Sequence, residues 1–102
     1  MNVAELAGVE LDYWMYQHAC KATGQHASRK AFDEGYRTGD FHFSTDKALA
    51  LDLIQLYSIN LQMLSGEWLA FARGMGYYAA TPNEALCRLV VALRFGKEVA
   101  EQ

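Results

Sequence analysis

The stretch Ile59-Asn60-Leu61-Gln62-Met63-Leu64-Ser65-Gly66-Glu67-Trp68-Leu69-Ala70-Phe71-Ala72-Arg73 decides the fold. Ile59, Leu61 and Met63 alternate with Asn60 and Gln62, the period-two pattern of a half-buried strand. Ser65-Gly66 reads as a tight turn, with Gly66 supplying a positive φ. The return strand runs from Glu67 to about Arg73. Trp68, Ala70 and Ala72 share one side of it, and Leu69, Phe71 and Arg73 the other. Both sides are largely apolar, so the sheet is either covered on both faces or exposed at a subunit contact. Gly74-Met75-Gly76 reads as a second turn and Tyr77 to Ala80 as a third strand.

Helical patterns flank this hairpin. Downstream, Thr81-Pro82-Asn83-Glu84 sets Thr at the N-cap, Pro at the first helical position and Glu at the third. Leu86, Leu89, Val90 and Leu93 form the buried stripe, Arg88 and Arg94 point outward, and Gly96 closes the helix. Upstream, Lys47 to Tyr57 is helical, with Leu49, Leu53, Leu56 and Tyr57 on its apolar face. Ser44 is its expected N-cap, and Asp46 falls in the first turn, where negative charge is favoured.

An earlier helix spans about Val9 to Lys21, with Val9, Tyr13, Tyr16 and Cys20 on one face. Between the two lies a glycine-containing segment, residues 24–40, read as irregular or mobile apart from a short helix over Ser28 to Phe32. Residues 98–102 read as a frayed tail. The order helix, loop, helix, hairpin, helix makes an α+β fold, with helices packed on a small antiparallel sheet of two or three strands. The 102 residues are expected to form a single domain.

Composition narrows the function. Hydrophobic residues make up 52% of the chain, enough to support a core and argue against global disorder. The net charge is -3 and the basic residues are scattered, so nucleic acid is not an expected partner. Arg88, Arg94 and Lys97 are the nearest approach to a basic patch. The opening residues lack a leader pattern and no apolar run reaches a membrane span, so a cytoplasmic setting is expected. Cys20 and Cys87 have no CxxC spacing; Cys87 falls in a buried helical pattern, and Cys20, near a helix end, is expected to be more exposed.

No catalytic constellation is legible. His18, His26 and His42 lack metal-ligand spacing, and Glu5, Glu10 and Asp12 read as solvated residues at a helix start. No metal or cofactor is expected, and an enzyme built on His26, His42 and nearby carboxylates is the minor reading. The principal reading is an interaction module, with Trp14, Leu69, Phe71 and Tyr78 as its surface and a homo-oligomer as one outcome. The rival is a small-ligand binder at two helix N-termini, through Ser44, Thr45, Asp46 and Thr81. It requires the two ends to converge on one pocket. No glycine-rich phosphate loop supports it.

Several blocks resemble the NinX-like family of small tailed-phage and prophage proteins of unknown function. The family's opening is similar to Glu5-Leu6-Ala7-Gly8 and Leu11-Asp12-Tyr13-Trp14. Its middle is similar to Phe43-Ser44-Thr45-Asp46, and its end to Thr81-Pro82 followed by Phe95-Gly96-Lys97-Glu98-Val99. The Ser-Thr-Asp helix, the hairpin and the Thr-Pro-x-Glu-Ala helix also resemble the phage alpha-beta-alpha sandwich domain. Where many NinX-like members have Trp and a glycine-containing stretch after Ser-Thr-Asp, this chain has the helical Lys47 to Tyr57, closer to the sandwich domain. The resemblance implies a phage or prophage accessory protein in the bacterial cytoplasm, with a host or phage protein as partner, and no particular activity.

Overall fold

Two hairpin turns set the sheet. Ser65 and Gly66 both adopt positive φ (53° and 85°), as do Arg73 and Gly74 (53° and 79°). Two-residue loops of this hand match the twist of the strands they join. The computed structural model describes residues 1–100. Within them β1 (Asn60–Leu64), β2 (Glu67–Ala72) and β3 (Met75–Ala79) form an antiparallel meander in that order. Leu61 lies opposite Ala70, and Ala70 opposite Tyr77. The second turn is therefore Arg73-Gly74, and β3 starts at Met75 rather than Tyr77. Gly76 is a strand residue: a Cβ there would meet Leu69 Cδ1 at 3.2 Å and Phe71 Cδ2 at 3.3 Å.

The helices are α1 (Gly8–Thr23), α2 (Arg29–Arg37), α3 (Lys47–Tyr57) and α4 (Pro82–Phe95). Short 3-10 turns occupy Val3–Glu5 and Phe43–Thr45. α4 is the centre of the fold. Ala85, Leu86, Cys87, Leu89, Val90, Val91 and Ala92 are all buried, so the helix is enclosed on most sides rather than along one stripe. It lies on β2 and β3, while α1 and α3 pack chiefly against α4. The fold is thus α+β, with helices against one face of a three-stranded antiparallel sheet.

Both caps of α4 form. Thr81 Oγ1 accepts from the Glu84 amide at 3.2 Å, and Gly96 closes the helix with a positive φ. The Glu84 carboxylate pairs with Arg88 Nη2 at 3.2 Å. Arg88 does not point away from the protein: its Nε donates to the Leu6 carbonyl at 2.8 Å and its Nη1 to the Tyr78 carbonyl at 2.6 Å.

Several sequence expectations change for physical reasons. Segment 24–40 holds the nine-residue α2, started by Ser28 accepting from the Ala31 amide. Its anchor is Phe32, fully buried among the rings of Tyr13, Tyr16, Tyr36 and Phe41 at 5.1–5.9 Å. Ser44 sits in the Phe43–Thr45 turn, and Asp46 is the N-cap of α3, accepting from the Ala48 amide at 3.1 Å. Cys20 is buried, like Cys87, and Val9 is exposed. The described part of the tail is tied down. The Val99 amide donates to the Met1 carbonyl at 2.9 Å, the Val3 amide to the Lys97 carbonyl at 2.9 Å, and Val99 is buried. Residues 101 and 102 lie outside the described residues. No described helix is long and apolar enough to cross a membrane.

Candidate functional site

Asp12 organises the first of two candidate surfaces. It lies on α1, is 1% exposed, and accepts hydrogen bonds from Tyr36 Oη–H and the Ser44 amide, each at 2.7 Å. A buried carboxylate is tolerated when donors surround it. Burial, with the hydrogen bond and charge of Asp12, pushes the Tyr36 hydroxyl up to about 12. That keeps it a neutral donor. Burial likewise pushes the Cys87 thiol up to about 12, reinforced by the nearby carboxylates of Asp12, Glu84 and Asp46. The thiol is consequently not a nucleophile at neutral pH.

Asn83, in the first turn of α4, completes the arrangement. Its Nδ2 donates to the Asp46 carbonyl at 2.5 Å and, at 3.5 Å, to that of Phe43. These bonds hold the turn before α3 against the start of α4. Between them opens a cleft of about 580 Å³, lined by Ser44, Thr45, Lys47, Thr81, Pro82 and Glu84, with Gly8, Ala50 and Asn83 completing its wall. The structure thus brings Ser44, Thr45 and Thr81 to one cleft, and Asp46 serves it as the α3 cap. The starts of α1, α3 and α4 all border it. The α3 and α4 ends are capped by Asp46 and Thr81, whereas Ala7, before α1, makes no side-chain cap bond. Its walls offer hydroxyl groups, one ammonium and one carboxylate over an apolar floor. They hold no histidine or activated thiol.

The second surface is the sheet face that carries no helix. β2 turns Ala70 and Ala72 toward α4, and β3 turns Tyr77 and Ala79 the same way; all four are buried. The opposite face presents Leu64 (39% exposed), Leu69 (half-buried), Phe71 (44%) and Tyr78 (50%). Leu69 lies opposite Tyr78, and Phe71 opposite Gly76. With no side chain on Gly76, Leu69 and Phe71 lean across β3.

Trp14 does not belong to this surface. It is 8% exposed and stacks edge-on against Phe95, with ring centroids 5.1 Å apart. Six consecutive residues of α1, Leu11 to Tyr16, are buried, so Trp14, expected on the interaction surface, is inside the core. Trp68, on the helix side of the sheet, is half-buried.

The histidines do not assemble. His26 lines a hollow with Gln17, Cys20 and Lys21; His42 lines another with Asp40, Phe43 and Asp46. His42 stacks on Tyr36 at 3.9 Å, and its Nε2 lies 3.0 Å from the Tyr36 carbonyl. His18 Nε2 lies 2.7 Å from Tyr57 Oη, and burial lowers its pKa below the ordinary 6.5. Among the described residues no group of three or more His, Cys, Asp or Glu side chains could hold a metal ion.

Sequence reasoning missed Asp12, read as solvated, and Asn83, read only as part of a cap. Their partners lie 24 to 40 positions away, and no local pattern marks them. Compared with protein-family models, with curated proteins and with solved structures, the chain matches none. The resemblance to NinX-like phage proteins therefore rests on the sequence blocks themselves.

Proposed function

We propose that this chain is a non-enzymatic interaction module that binds a protein partner through the open face of its sheet. The observation that carries the reading is the division of the sheet: one face lies under α4, and the other exposes Leu64, Leu69, Phe71 and Tyr78 together. Tyrosine is enriched among the anchors of protein contacts, and apolar groups exposed together on one face mark such surfaces. The only ionisable strand residue on that face besides Tyr78 is Glu67, at the turn end. The blocks similar to NinX-like proteins support a phage or prophage setting in the bacterial cytoplasm and a host or phage protein as the partner.

A photo-crosslinking residue placed at position 71, compared with one at the exposed Lys30 of α2, tests this in bacterial extract. A single adduct formed from position 71, and competed away by excess unlabelled protein, is expected. Equal labelling from both positions would remove the open face as a binding surface.

The cleft favours a second reading, a small polar ligand held by Ser44, Thr45, Lys47 and Thr81. These residues converge, as that reading requires. Calorimetry with a panel of nucleotides and phosphorylated metabolites should give heat that Lys47→Ala reduces. No heat from any compound in the panel would reject this reading.

A further inference from the structure

The two edges of the sheet are treated differently. On β3 the Tyr78 carbonyl is taken by Arg88, which also donates to the Leu6 carbonyl of the N-terminal segment. On β1 nothing comparable occurs: among the described residues, no group outside the sheet hydrogen-bonds to residues 60–64. Proteins commonly blunt a free edge with charge, proline or a bulge. Asn60-Leu61-Gln62-Met63-Leu64 contains no charge and no proline, and its pairing with β2 is unbroken. Met63 is 53% exposed on the helix side of this edge.

The hairpin fixes which backbone groups are free. A two-residue loop makes Leu64 and Glu67 a hydrogen-bonded pair, and the pattern alternates from there. Gln62 and Asn60 then bond to β2, while the amides and carbonyls of Leu61 and Met63 point away from the sheet. The same alternation from the Arg73-Gly74 turn makes the Tyr78 carbonyl point outward on β3, where Arg88 meets it.

We infer that β1 pairs antiparallel with β1 of a second copy of this chain, about a twofold axis at Gln62. In that register Leu61 lies opposite Met63 of the other copy, and Asn60 opposite Leu64. Every outward amide and carbonyl of both strands finds a partner. The exposed Met63 side chain is covered by Leu61 of the second copy, and no like charges meet across the axis. The result is one continuous sheet with three strands from each copy. Two strands of this length, about 17 Å each, bury less than the roughly 1,600 Å² of a typical stable complex. The dimer therefore forms as concentration rises rather than persisting at high dilution. This edge is a different surface from the open face, so either assignment can fail without the other.

The register supplies the test. Opposed Gln62 residues form a non-hydrogen-bonded pair with Cα atoms about 4.5 Å apart, inside the disulfide range. Opposed Asn60 residues are about 13 Å apart, well outside it. Gln62→Cys should crosslink under mild oxidation and Asn60→Cys should not; the native Cys20 and Cys87 are buried. Sedimentation of the wild-type chain should show a concentration-dependent dimer. Met63→Pro removes an outward amide while sparing the bonds to β2. Gln62→Lys sets two like charges face to face, and each variant should weaken the dimer by about threefold or more.

A monomer at every concentration would overturn the inference. So would equal crosslinking at positions 60 and 62. A dimer that ignores both β1 substitutions but is lost on Phe71→Ser would also overturn it, moving the contact to the open face. An extended peptide seated along β1 of a monomer, seen as shifts of the Leu61 and Met63 amide resonances, would replace the second copy as the occupant.

Discussion

Replacing Asp12 with alanine probes the polar hub that sets the cleft. Two donors converge on this carboxylate, Tyr36 Oη–H and the Ser44 amide, both at 2.7 Å. Removing it leaves each donor without a partner, and a fully buried orphan costs about 1–3 kcal/mol. Tyr36 and Ser44 are half-buried, so water recovers part of the loss. The expected destabilisation is about 2–4 kcal/mol. For a chain of this length, that lowers Tm by on the order of 10–20 °C. Asp12→Asn keeps an acceptor for the Ser44 amide and can donate to the Tyr36 oxygen, so it should cost only about 1 kcal/mol. Adding Tyr36→Phe closes a double-mutant cycle, in which the coupling should be about 1–2 kcal/mol. Urea unfolding followed by tryptophan fluorescence gives these values. Titration of tyrosinate absorbance gives an independent readout. Burial is the main reason Tyr36 stands near 12, and Asp12 adds to it. Asp12→Ala should therefore shift one tyrosine toward 10 without bringing it all the way. An Asp12→Ala protein within about 0.5 kcal/mol of the parent would refute the hub.

Four further outcomes follow from other sites. Gly35→Ala should destabilise: alanine gains up to about 1 kcal/mol in helix propensity, but its Cβ would collide with the Phe41 ring, confined by Tyr16 and Phe32, at about 1–3 kcal/mol. A stabilised Gly35→Ala protein in the same urea assay would refute that packing. Arg88→Met should cost about 1–3 kcal/mol, chiefly because it strips the part-buried Leu6 carbonyl of its donor, while water replaces the donor at the exposed Tyr78 carbonyl; thermal unfolding measures it. His18 has a folded pKa below 6.5, so the unfolded chain takes up its proton first as pH falls. Stability should drop below pH 6.5 until the folded value is reached, and a His18→Gln protein, compared by urea midpoints at pH 7.5 and 5.5, should lose that part of the slope. Finally, neither Cys20 nor Cys87 should react with a thiol reagent until the protein unfolds, and fast labelling of the native protein would contradict their burial.

What the sequence revealed depended on how far apart the interacting groups lie. The hairpin was legible because its period, turn residues and pairing are all local, and Thr81-Pro82-Asn83-Glu84 announced α4 in four residues. α2 was read too short because its stability comes from one residue, Phe32, held by rings from α1 and from Phe41. Trp14 was misplaced because α1 is buried over six successive positions, where periodicity no longer separates inside from outside. Strand alternation sets Leu69 and Phe71 on one side of β2, but it does not say whether that side is covered, and the sequence alone leaves both outcomes open. That Ser44 and Thr81 line one cleft is not legible in the sequence. What brings it about is Asn83 bonding to Phe43 and Asp46 across 37 to 40 positions, and nothing local encodes that.

The two treatments of this sheet bear on what the exposed residues are for. An apolar side chain on a protein surface needs no explanation by itself, since much of any folded surface is apolar. Here the exposure is organised. Gly76 lets Leu69 and Phe71 settle over β3, where a Cβ at 3.2–3.3 Å would crowd both side chains, although glycine weakens a strand by itself. Arg88, largely buried with Glu84 as its ion partner, serves two backbone carbonyls, one of them on the outer edge of β3. β1 has neither such a contact nor a charge along its length. If the surface had only to keep the molecule dispersed, a lysine at Gln62 would cost the fold little, because that side chain is exposed and its backbone bonds are unaffected. The strand instead offers uncharged backbone groups along its edge, and the sheet offers grouped apolar side chains on its open face. Those are the features from which sheet-mediated assembly is built.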